Sequence, residues 1–150
     1  MATELKIGDK APKFKAKNEK GELVSLAQFK GKKLVLYFYP KDDTPGCTAE
    51  ACDLRDNYQT FIAKGYAILG VSPDTPTKHQ KFITKYDLPF SLLADEDNAV
   101  ATSYGTWGEK SMYGKKYMGI IRTTFVINEK GLIENIIEKV DTKNHTSQIL

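Results

Sequence analysis

The sequence predicts an α/β fold in which a central mixed β-sheet is flanked by helices. Short apolar, β-rich segments alternate with longer segments whose apolar residues recur every three or four positions. Two β-rich segments late in the chain flank a turn at residues 128–131, which indicates a closing hairpin and an antiparallel edge. The chain has 150 residues, the usual length of one domain. We therefore expect a single domain over residues 1–150.

The first predicted elements are short extended pieces, followed by a buried strand. Residues 1–30 contain the extended pieces, arranged around a turn at residues 18–21. Residues 33–39 are apolar on both faces, which predicts a central strand covered on both sides. Pro40 ends this strand.

A helix is predicted directly after the central strand. Thr44 is suited to the N-cap position and Pro45 to the first helical position. Gly65 is a suitable residue to end the helix. The apolar stripe of this helix comprises Cys47, Ala51, Leu54, Tyr58 and Phe61 or Ile62.

The remaining predicted elements continue the alternation of strands and helices. They are a buried strand at 66–71, a helix that opens at Thr75 and Pro76 with His79, Phe82, Ile83 and Tyr86 on its stripe, a short strand at 90–93, a short helix at 98–104, strands at 123–127 and 132–140, and a polar tail from Asp141 with one helical turn before Leu150.

Composition and charge exclude several classes of protein. Hydrophobic residues make up 41% of the chain, which is ordinary for a globular protein and excludes a disordered one. The net charge of +3 is too small, and the lysines too scattered, to indicate a nucleic-acid partner. No apolar run approaches the ~20 residues that span a bilayer, and no secretory signal is apparent. We expect a cytoplasmic protein with no nucleic-acid or membrane partner.

The chain has two cysteines, Cys47 and Cys52. In a reducing cytosol, a close pair of cysteines is catalytic, redox-active or metal-binding more often than structural. Zinc needs about four ligands, and the two histidines, His79 and His145, are not at ligand-like spacings, so we expect no metal. A thiol–disulfide exchange motif of the thioredoxin type has two residues between its cysteines, whereas this pair has four.

Cys47 is expected in the first turn of the helix, at position N3 if Thr44 is the N-cap. Free N–H groups and the positive end of the helix dipole favour the thiolate form of a cysteine there. The preceding loop leaves a central strand, where ligands bind in open α/β sheets. The apolar stripe alone would equally suit a small buried residue, but the cap, the proline and Cys52 favour a reactive thiol.

Cys52 lies five residues further along the predicted helix, on its polar face with Arg55 and Gln59. In an intact helix, this spacing separates the Cα atoms by about 8–9 Å. A disulfide needs less than ~7 Å, so the first turns must unwind before the two cysteines can join.

Thiolate formation alone gives only modest catalysis, about 30-fold, so groups that stabilise the transition state are needed. The Thr44 hydroxyl is a candidate donor, three residues before the sulfur. Arg122 is a candidate cation, because it precedes a core strand in a chain whose routine cation is lysine. A plain charge at the end of a strand would explain Arg122 equally well.

The sequence resembles the peroxiredoxins, and within them the bacterioferritin comigratory protein (peroxiredoxin Q) group. The resemblance rests on the spacing P-x-x-x-T-x-x-C at residues 40–47 and on the following residues 48–56. It extends through residues 8–12, 104–110 and 122–127, and so covers nearly the whole chain.

The resemblance implies a thioredoxin-like fold and a thiol-dependent peroxidase without a metal, haem or flavin cofactor. Cys47 matches the peroxidatic cysteine, and Cys52 matches the resolving cysteine that some members carry in the same helix. Thr44 and Arg122 match the residues that hold and polarise the peroxide. Pro40 matches the proline that shields the sulfur, and Glu50 matches the carboxylate that orients the arginine.

The implied cycle reduces hydrogen peroxide or organic hydroperoxides through a sulfenic acid on Cys47. Cys52 then forms a disulfide with Cys47, and thioredoxin or a similar dithiol restores both thiols. We expect a monomer or a weak dimer. Two alternatives use the same cysteines: a peroxide-sensing redox switch or holdase without efficient turnover, and a plain thiol–disulfide exchange protein that has no need of Thr44 or Arg122.

Overall fold

The computed structural model describes residues 3–150 and has a mixed seven-stranded sheet with helices on both faces. The elements, in chain order, are β1 (Lys15–Lys17), β2 (Leu23–Ser25), a 3₁₀-helix (Leu26–Phe29), β3 (Lys33–Phe38), α1 (Pro45–Asp56), α2 (Tyr58–Ala63), β4 (Tyr66–Ser72), α3 (Pro76–Tyr86), β5 (Ser91–Ala94), α4 (Ala99–Ser103), β6 (Trp107–Met112), β7 (Lys115–Ile120), β8 (Thr123–Ile127), β9 (Ile133–Ile137) and α5 (His145–Ile149).

The strand order of the main sheet is β2-β1-β5-β4-β3-β8-β9. Strands β3, β4 and β5 are parallel to one another, whereas β1 and β8 run antiparallel to their neighbours. The closing β8–β9 hairpin is antiparallel. The predicted mixed sheet and its antiparallel edge are therefore confirmed.

Central strand β3 divides the interior into two apolar layers because successive side chains point to opposite faces. Leu34, Leu36 and Phe38 belong to the cluster that includes α4. Val35, Tyr37 and the following Tyr39 belong to the cluster that includes Cys47 and the helices α1 to α3. The doubly apolar segment of the sequence is thus a strand buried on both faces.

The pairing of β3 with β8 brings two distant parts of the chain together. Phe38, at the carboxyl end of β3, is paired with Thr123, at the start of the antiparallel β8. Residue 122 therefore lies beside the loop that leads from β3 into α1. This register creates the site described below.

The single helix predicted over residues 45–65 is wrong, because the structure contains two helices separated at Asn57. The side-chain amide of Asn57 donates to the Asp53 carbonyl oxygen at 2.8 Å. That carbonyl is the acceptor that the Asn57 backbone N–H would use in a continuous helix, so the side chain competes with the helical bond. The apolar stripe continues across the break because Tyr58 and Phe61 still pack in the same layer.

The β6–β7 hairpin is absent from the sequence prediction. Its turn is formed by Tyr113 and Gly114, with φ angles of 52° and 79°. Two consecutive positive φ angles are typical of tight hairpin turns. The strands carry mainly exposed residues, so no apolar alternation marks them in the sequence.

The other predicted elements have close counterparts. The helix opening at Thr75 and Pro76, the short helix near residue 100 and the last helical turn before Leu150 are all present. Within residues 3–150, no helix combines the length and the apolar character needed to cross a bilayer.

Candidate active site

Cys47 lies in the first turn of α1, where the sequence predicts it. Thr44 occupies the N-cap position with an extended backbone, and Pro45 is the first helical residue. The Thr48 N–H donates to the Thr44 carbonyl at 2.8 Å, which closes the first helical turn. Cys47 is only 1% exposed. The thiol is therefore buried at the positive end of the helix.

The Thr44 side chain does not cap the helix and is not a free donor. Its hydroxyl donates to the Lys41 carbonyl oxygen at 2.9 Å. A hydroxyl has one proton and two lone pairs, so Thr44 can offer a peroxide only its lone pairs. The expectation of a donor is wrong in this state: Thr44 is suited to accept a hydrogen bond from a peroxide O–H.

Arg122 joins the thiol to a buried carboxylate. Its Nη2 lies 3.2 Å from Cys47 Sγ, and its Nη1 donates to Glu50 Oε1 at 2.6 Å. Glu50 is completely buried, and the Arg122 side chain is 22% exposed. The planar guanidinium can make both contacts at once, which an ammonium group cannot reproduce. Arg122 is thus an integral part of the cysteine site.

The environment changes the ionisation of both partners. Burial raises the pKa of Glu50 to about 7, although Arg122 acts to lower it. Burial acts to lower the pKa of Arg122, but Glu50 and Cys47 more than offset this, so its pKa is raised. The site therefore holds a permanent cation against the sulfur and a carboxyl group that titrates near neutral pH.

Gly46 leaves room for the arginine. A Cβ atom at this position would lie 3.3 Å from Arg122 Nη2, closer than an ordinary van der Waals contact. The missing side chain thus allows the guanidinium to approach the first turn of α1. Glycine is a poor helix former, so its place in this turn is explained by the close approach.

Cys52 is half-buried and lies on the same intact helix as Cys47. Both cysteines are free thiols. At this helical spacing the Cα atoms are about 8–9 Å apart, so a disulfide requires the helix between them to unwind. Pro40 is half-buried and directly follows the buried Tyr39, in the loop that contains Thr44.

Two consecutive aspartates attach this loop to α3. Asp42 Oδ2 lies 2.6 Å from His79 Nδ1, and both side chains are buried. Asp43 has a positive φ of 59° and accepts hydrogen bonds from Lys85 Nζ at 2.8 Å and from the Tyr86 hydroxyl at 2.7 Å. The loop before Cys47 is therefore fixed from one side by α3.

The C-terminal helix α5 contacts the site from the other side. His145 is completely buried, and its Nε2 lies 3.4 Å from Glu50 Oε2 and 2.8 Å from the Thr124 hydroxyl. The Thr146 N–H donates to Asp53 Oδ2 in α1 at 2.7 Å. Burial lowers the pKa of His145, which favours its neutral form. The polar tail of the sequence therefore carries a buried side chain that faces Glu50.

Within residues 3–150, one group of three side chains has ligand atoms close enough for a metal ion: Asp42, Asp74 and His79, within 4.8 Å of one another. These atoms already have hydrogen-bond partners. Asp74 Oδ2 accepts from the Asp42 N–H and from the Ser72 hydroxyl, at 2.8 and 2.7 Å. Asp42, Asp74 and His79 therefore form a hydrogen-bond network.

An open cleft of about 560 Å³ is lined in part by Arg122. Its lining is mixed in character and comprises Glu109, Lys110, Ile121, Arg122, Glu138, Lys139 and Val140. The Lys110 side chain donates to the Ile120 carbonyl oxygen at 2.8 Å, and burial lowers its pKa. The cleft gives solvent and small molecules a route to the arginine.

Of the six residues singled out in the sequence, five lie on α1, cap it or contact Cys47, and Pro40 lies in the preceding loop; the structure adds Gly46, Asp42, His79 and His145. The sequence contains signals for two of these four. A glycine in the first turn of a helix is one, and a histidine on an apolar stripe is another. Which residues each histidine contacts depends on the packing of distant elements, which local sequence patterns do not contain.

Comparisons with known proteins agree with the resemblance. The AhpC/TSA family matches residues 7–136. A putative peroxiredoxin bcp of Coxiella burnetii is 48% identical over 146 residues, covering 97% of each chain. Peroxiredoxin Bcp of Bacillus subtilis is 47% identical over 146 residues, covering 97% of this chain and 93% of the relative.

Solved structures of similar proteins have the same fold. A cysteine-to-serine mutant of PrxQ from Xylella fastidiosa superposes with a TM-score of 0.92 at 28% identity, covering 99% of this chain and 94% of that one. A bacterioferritin comigratory protein from Xanthomonas campestris, described with its alkyl peroxide reduction activity, gives a TM-score of 0.85 at 35% identity, covering 91% and 87%.

Proposed function

This chain belongs to the AhpC/TSA family and is a peroxiredoxin of the Bcp type, and on that premise we propose the residues and steps by which it reduces peroxides. Cys47 is the peroxidatic cysteine, Cys52 the resolving cysteine, and Thr44 and Arg122 hold the peroxide. Glu50 orients Arg122, and Pro40 shields the sulfur. The observation that carries this assignment is the 3.2 Å contact between Arg122 Nη2 and Cys47 Sγ, with Glu50 on the other arm of the guanidinium.

In the first step, the Cys47 thiolate attacks one oxygen of the peroxide. The S–O bond forms as the O–O bond breaks, so the sulfur is oxidised to a sulfenic acid and the peroxide is reduced. The leaving oxygen takes, through solvent, the proton that the Cys47 thiol released on ionisation, and departs as water or an alcohol. Arg122 stabilises the negative charge that moves from sulfur to this oxygen, and the Thr44 lone pairs orient the peroxide O–H.

In the second step, α1 unwinds and the Cys52 thiol attacks the sulfenic sulfur of Cys47. The S–S bond forms, and the hydroxyl of the sulfenic acid leaves as water with the Cys52 proton. A dithiol reductant then exchanges with the disulfide, so that both cysteines return to thiols and the reductant is oxidised. We propose thioredoxin or a similar dithiol for this role, acting on a cytoplasmic monomer or weak dimer.

The substrates proposed are hydrogen peroxide and organic hydroperoxides. The alkyl peroxide reduction activity of the Xanthomonas relative supports the second class. The mixed lining of the cleft beside Arg122, with Ile121 and Val140, is compatible with a small alkyl group.

Steady-state peroxide consumption with a thioredoxin system tests the proposal. Hydrogen peroxide and an organic hydroperoxide are compared, with the Cys47→Ser variant as control. We expect many turnovers per chain in the wild type and none in the variant, because a serine hydroxyl is not an anion at pH 7. Turnover in Cys47→Ser would refute the assignment of Cys47. Consumption that stops near one peroxide per chain would instead support the redox switch.

A further inference from the structure

The loop before the active-site helix depends on a buried histidine that the proposed mechanism does not use. His79, in α3, is completely buried, and its Nδ1 lies 2.6 Å from Asp42 Oδ2. The other ring nitrogen, Nε2, lies 2.9 Å from the Leu93 carbonyl oxygen. Both nitrogens of His79 are therefore engaged, one on each side of the ring.

The partners determine where the protons lie. A carbonyl oxygen only accepts hydrogen bonds, so Nε2 must carry a proton. A carboxylate also only accepts, so Nδ1 must carry one as well when Asp42 is ionised. The geometry thus fits a doubly protonated imidazolium that is paired with the Asp42 carboxylate.

The other groups around the pair favour the same arrangement. The Tyr39 hydroxyl donates to Asp42 Oδ1 at 2.6 Å. Burial raises the pKa of Tyr39 well above its ordinary value, so this hydroxyl keeps its proton. Asp74, the other acidic group within 4.8 Å, adds a further negative charge close to the ring. Donors thus surround the Asp42 carboxylate, and acceptors surround His79.

Asp42 is linked in turn to the residues that face the peroxide. Its backbone N–H is held by Asp74 at 2.8 Å. The preceding residue, Lys41, provides the carbonyl oxygen that accepts the Thr44 proton at 2.9 Å. A displacement of Asp42 would therefore move Lys41 and release the Thr44 hydroxyl. Thr44 would then no longer present its lone pairs in a fixed direction.

We propose that His79, as an imidazolium paired with Asp42, is a positioning residue for the peroxide step, fixing the loop that orients Thr44. The effect of His79 on the peroxide step rests on the proposed function. The protonation state of His79 does not. A small displacement of a positioned group can reduce a rate by one or two orders of magnitude.

The first test is a ¹⁵N NMR spectrum of the histidine rings in the reduced wild-type protein at pH 7. The chain contains two histidines, and the structure predicts opposite states for them. His79 should show protons on both nitrogens. His145 should show a proton on Nδ1 alone, because Nδ1 faces Gln148 Oε1 at 2.8 Å while Nε2 accepts from Thr124.

The proton on His145 Nδ1 can be assigned without reference to His79, because two other hydrogen bonds fix the orientation of the Gln148 amide. Its Oε1 accepts from the Asp141 N–H at 2.8 Å, and its amide nitrogen donates to the Lys139 carbonyl at 2.9 Å. His145 therefore serves as an internal reference. A His79 ring with one proton would overturn the proposal.

The second test separates peroxide positioning from general thiol reactivity. In the His79→Gln variant, an amide replaces the imidazolium, so Asp42 loses its charged partner. We expect stopped-flow peroxide reduction by Cys47 to slow about tenfold, while Cys47 alkylation by iodoacetamide, which needs no Thr44 contact, changes less than about twofold. The control is Gln80→Ala, which removes a hydrogen bond from the next residue of α3 to the Glu19 carbonyl oxygen, away from this loop, and should leave both rates unchanged.

A double variant tests whether the pair acts as a unit. Asp42→Asn combined with His79→Gln replaces the charged pair by two amides that can hydrogen-bond to each other. We expect the double variant to be no slower than either single variant, since residues that act together are not additive. Multiplied losses would refute the pairing.

The results also distinguish this inference from the proposed function. If the wild type reduces no peroxide, the proposed function fails, and the NMR spectrum still decides the state of His79. If the wild type is active and His79→Gln reduces peroxide at the wild-type rate, the inference alone fails.

Discussion

Replacing Gly46 by alanine should stabilise the helix and slow the chemistry at the same time. The new Cβ would lie 3.3 Å from Arg122 Nη2, the nitrogen that contacts Cys47 Sγ at 3.2 Å. Glu50 holds the other arm of the guanidinium at 2.6 Å, so Arg122 cannot slide away freely. The guanidinium must instead shift by a few tenths of an ångström, which lengthens the contact between Arg122 Nη2 and Cys47 Sγ.

The size of the effect follows from two opposing contributions. Alanine is favoured over glycine inside a helix by about 0.5–1 kcal/mol, and the Gly46 backbone has no positive φ that would oppose it. Complete loss of one donor to a developing charge reduces a rate by about 10²–10³. A partial displacement should therefore slow the peroxide step by about three- to tenfold, while the free energy of unfolding stays equal or rises.

Stopped-flow oxidation of Cys47 measures the rate, and urea denaturation measures the stability. The matched control is Thr48→Ala, which also raises helix propensity in the first part of α1. Thr48 follows Cys47, the residue of α1 whose sulfur contacts Arg122. We expect the control to keep the wild-type rate. A Gly46→Ala variant with an unchanged peroxide rate would show that the position of Arg122 does not limit the reaction.

Three further predictions concern the charged groups and Cys52. Arg122→Lys keeps the charge but loses the two-armed contact, so oxidation of Cys47 measured by stopped flow should slow roughly 10²-fold. An unchanged rate would show that Arg122 takes no part in the peroxide step. Cys52→Ser should reduce the first peroxide at nearly the wild-type rate. Its turnover with thioredoxin should fall, and over-oxidation of Cys47 to the sulfinic form should rise in excess peroxide. Turnover of the variant at the wild-type rate would contradict this. Glu50→Gln should flatten the pH dependence of stability. Burial raises the Glu50 pKa from 4.5 to about 7, so the folded state holds a proton that the unfolded state releases. Wild-type unfolding free energy should fall by roughly 3 kcal/mol as pH rises through this window, and urea titrations should show a smaller fall in the variant.

Much of the framework could be predicted from the sequence because its signals are local. Strand β3 is apolar on both faces, and the position of Cys47 follows from counting from Thr44 and Pro45. The break at Asn57 could not be predicted from the stripe, because the stripe resumes in phase on the next helix. The β6–β7 hairpin was missed because its strands lie at the surface and carry no apolar alternation.

The site was predicted less completely than the fold. The resemblance supplied Glu50 and the role of Arg122, and the antiparallel register of β8 beside β3 explains why a residue 75 positions away touches Cys47. The donor role expected of Thr44 failed because its single proton is used by a backbone carbonyl three residues earlier. The contacts of His79 and His145 depend on how α3 and α5 pack, which no short segment determines.

The proposed cycle requires that peroxide oxidises Cys47 and that Cys52 then forms a disulfide with it after α1 unwinds. The decisive measurement is the intact mass of the reduced wild-type protein after one equivalent of peroxide. We expect the loss of two hydrogens, with Cys47 and Cys52 recovered in one disulfide-linked peptide pair and neither thiol open to alkylation. A gain of one oxygen on Cys47, with Cys52 still open to alkylation, would contradict it.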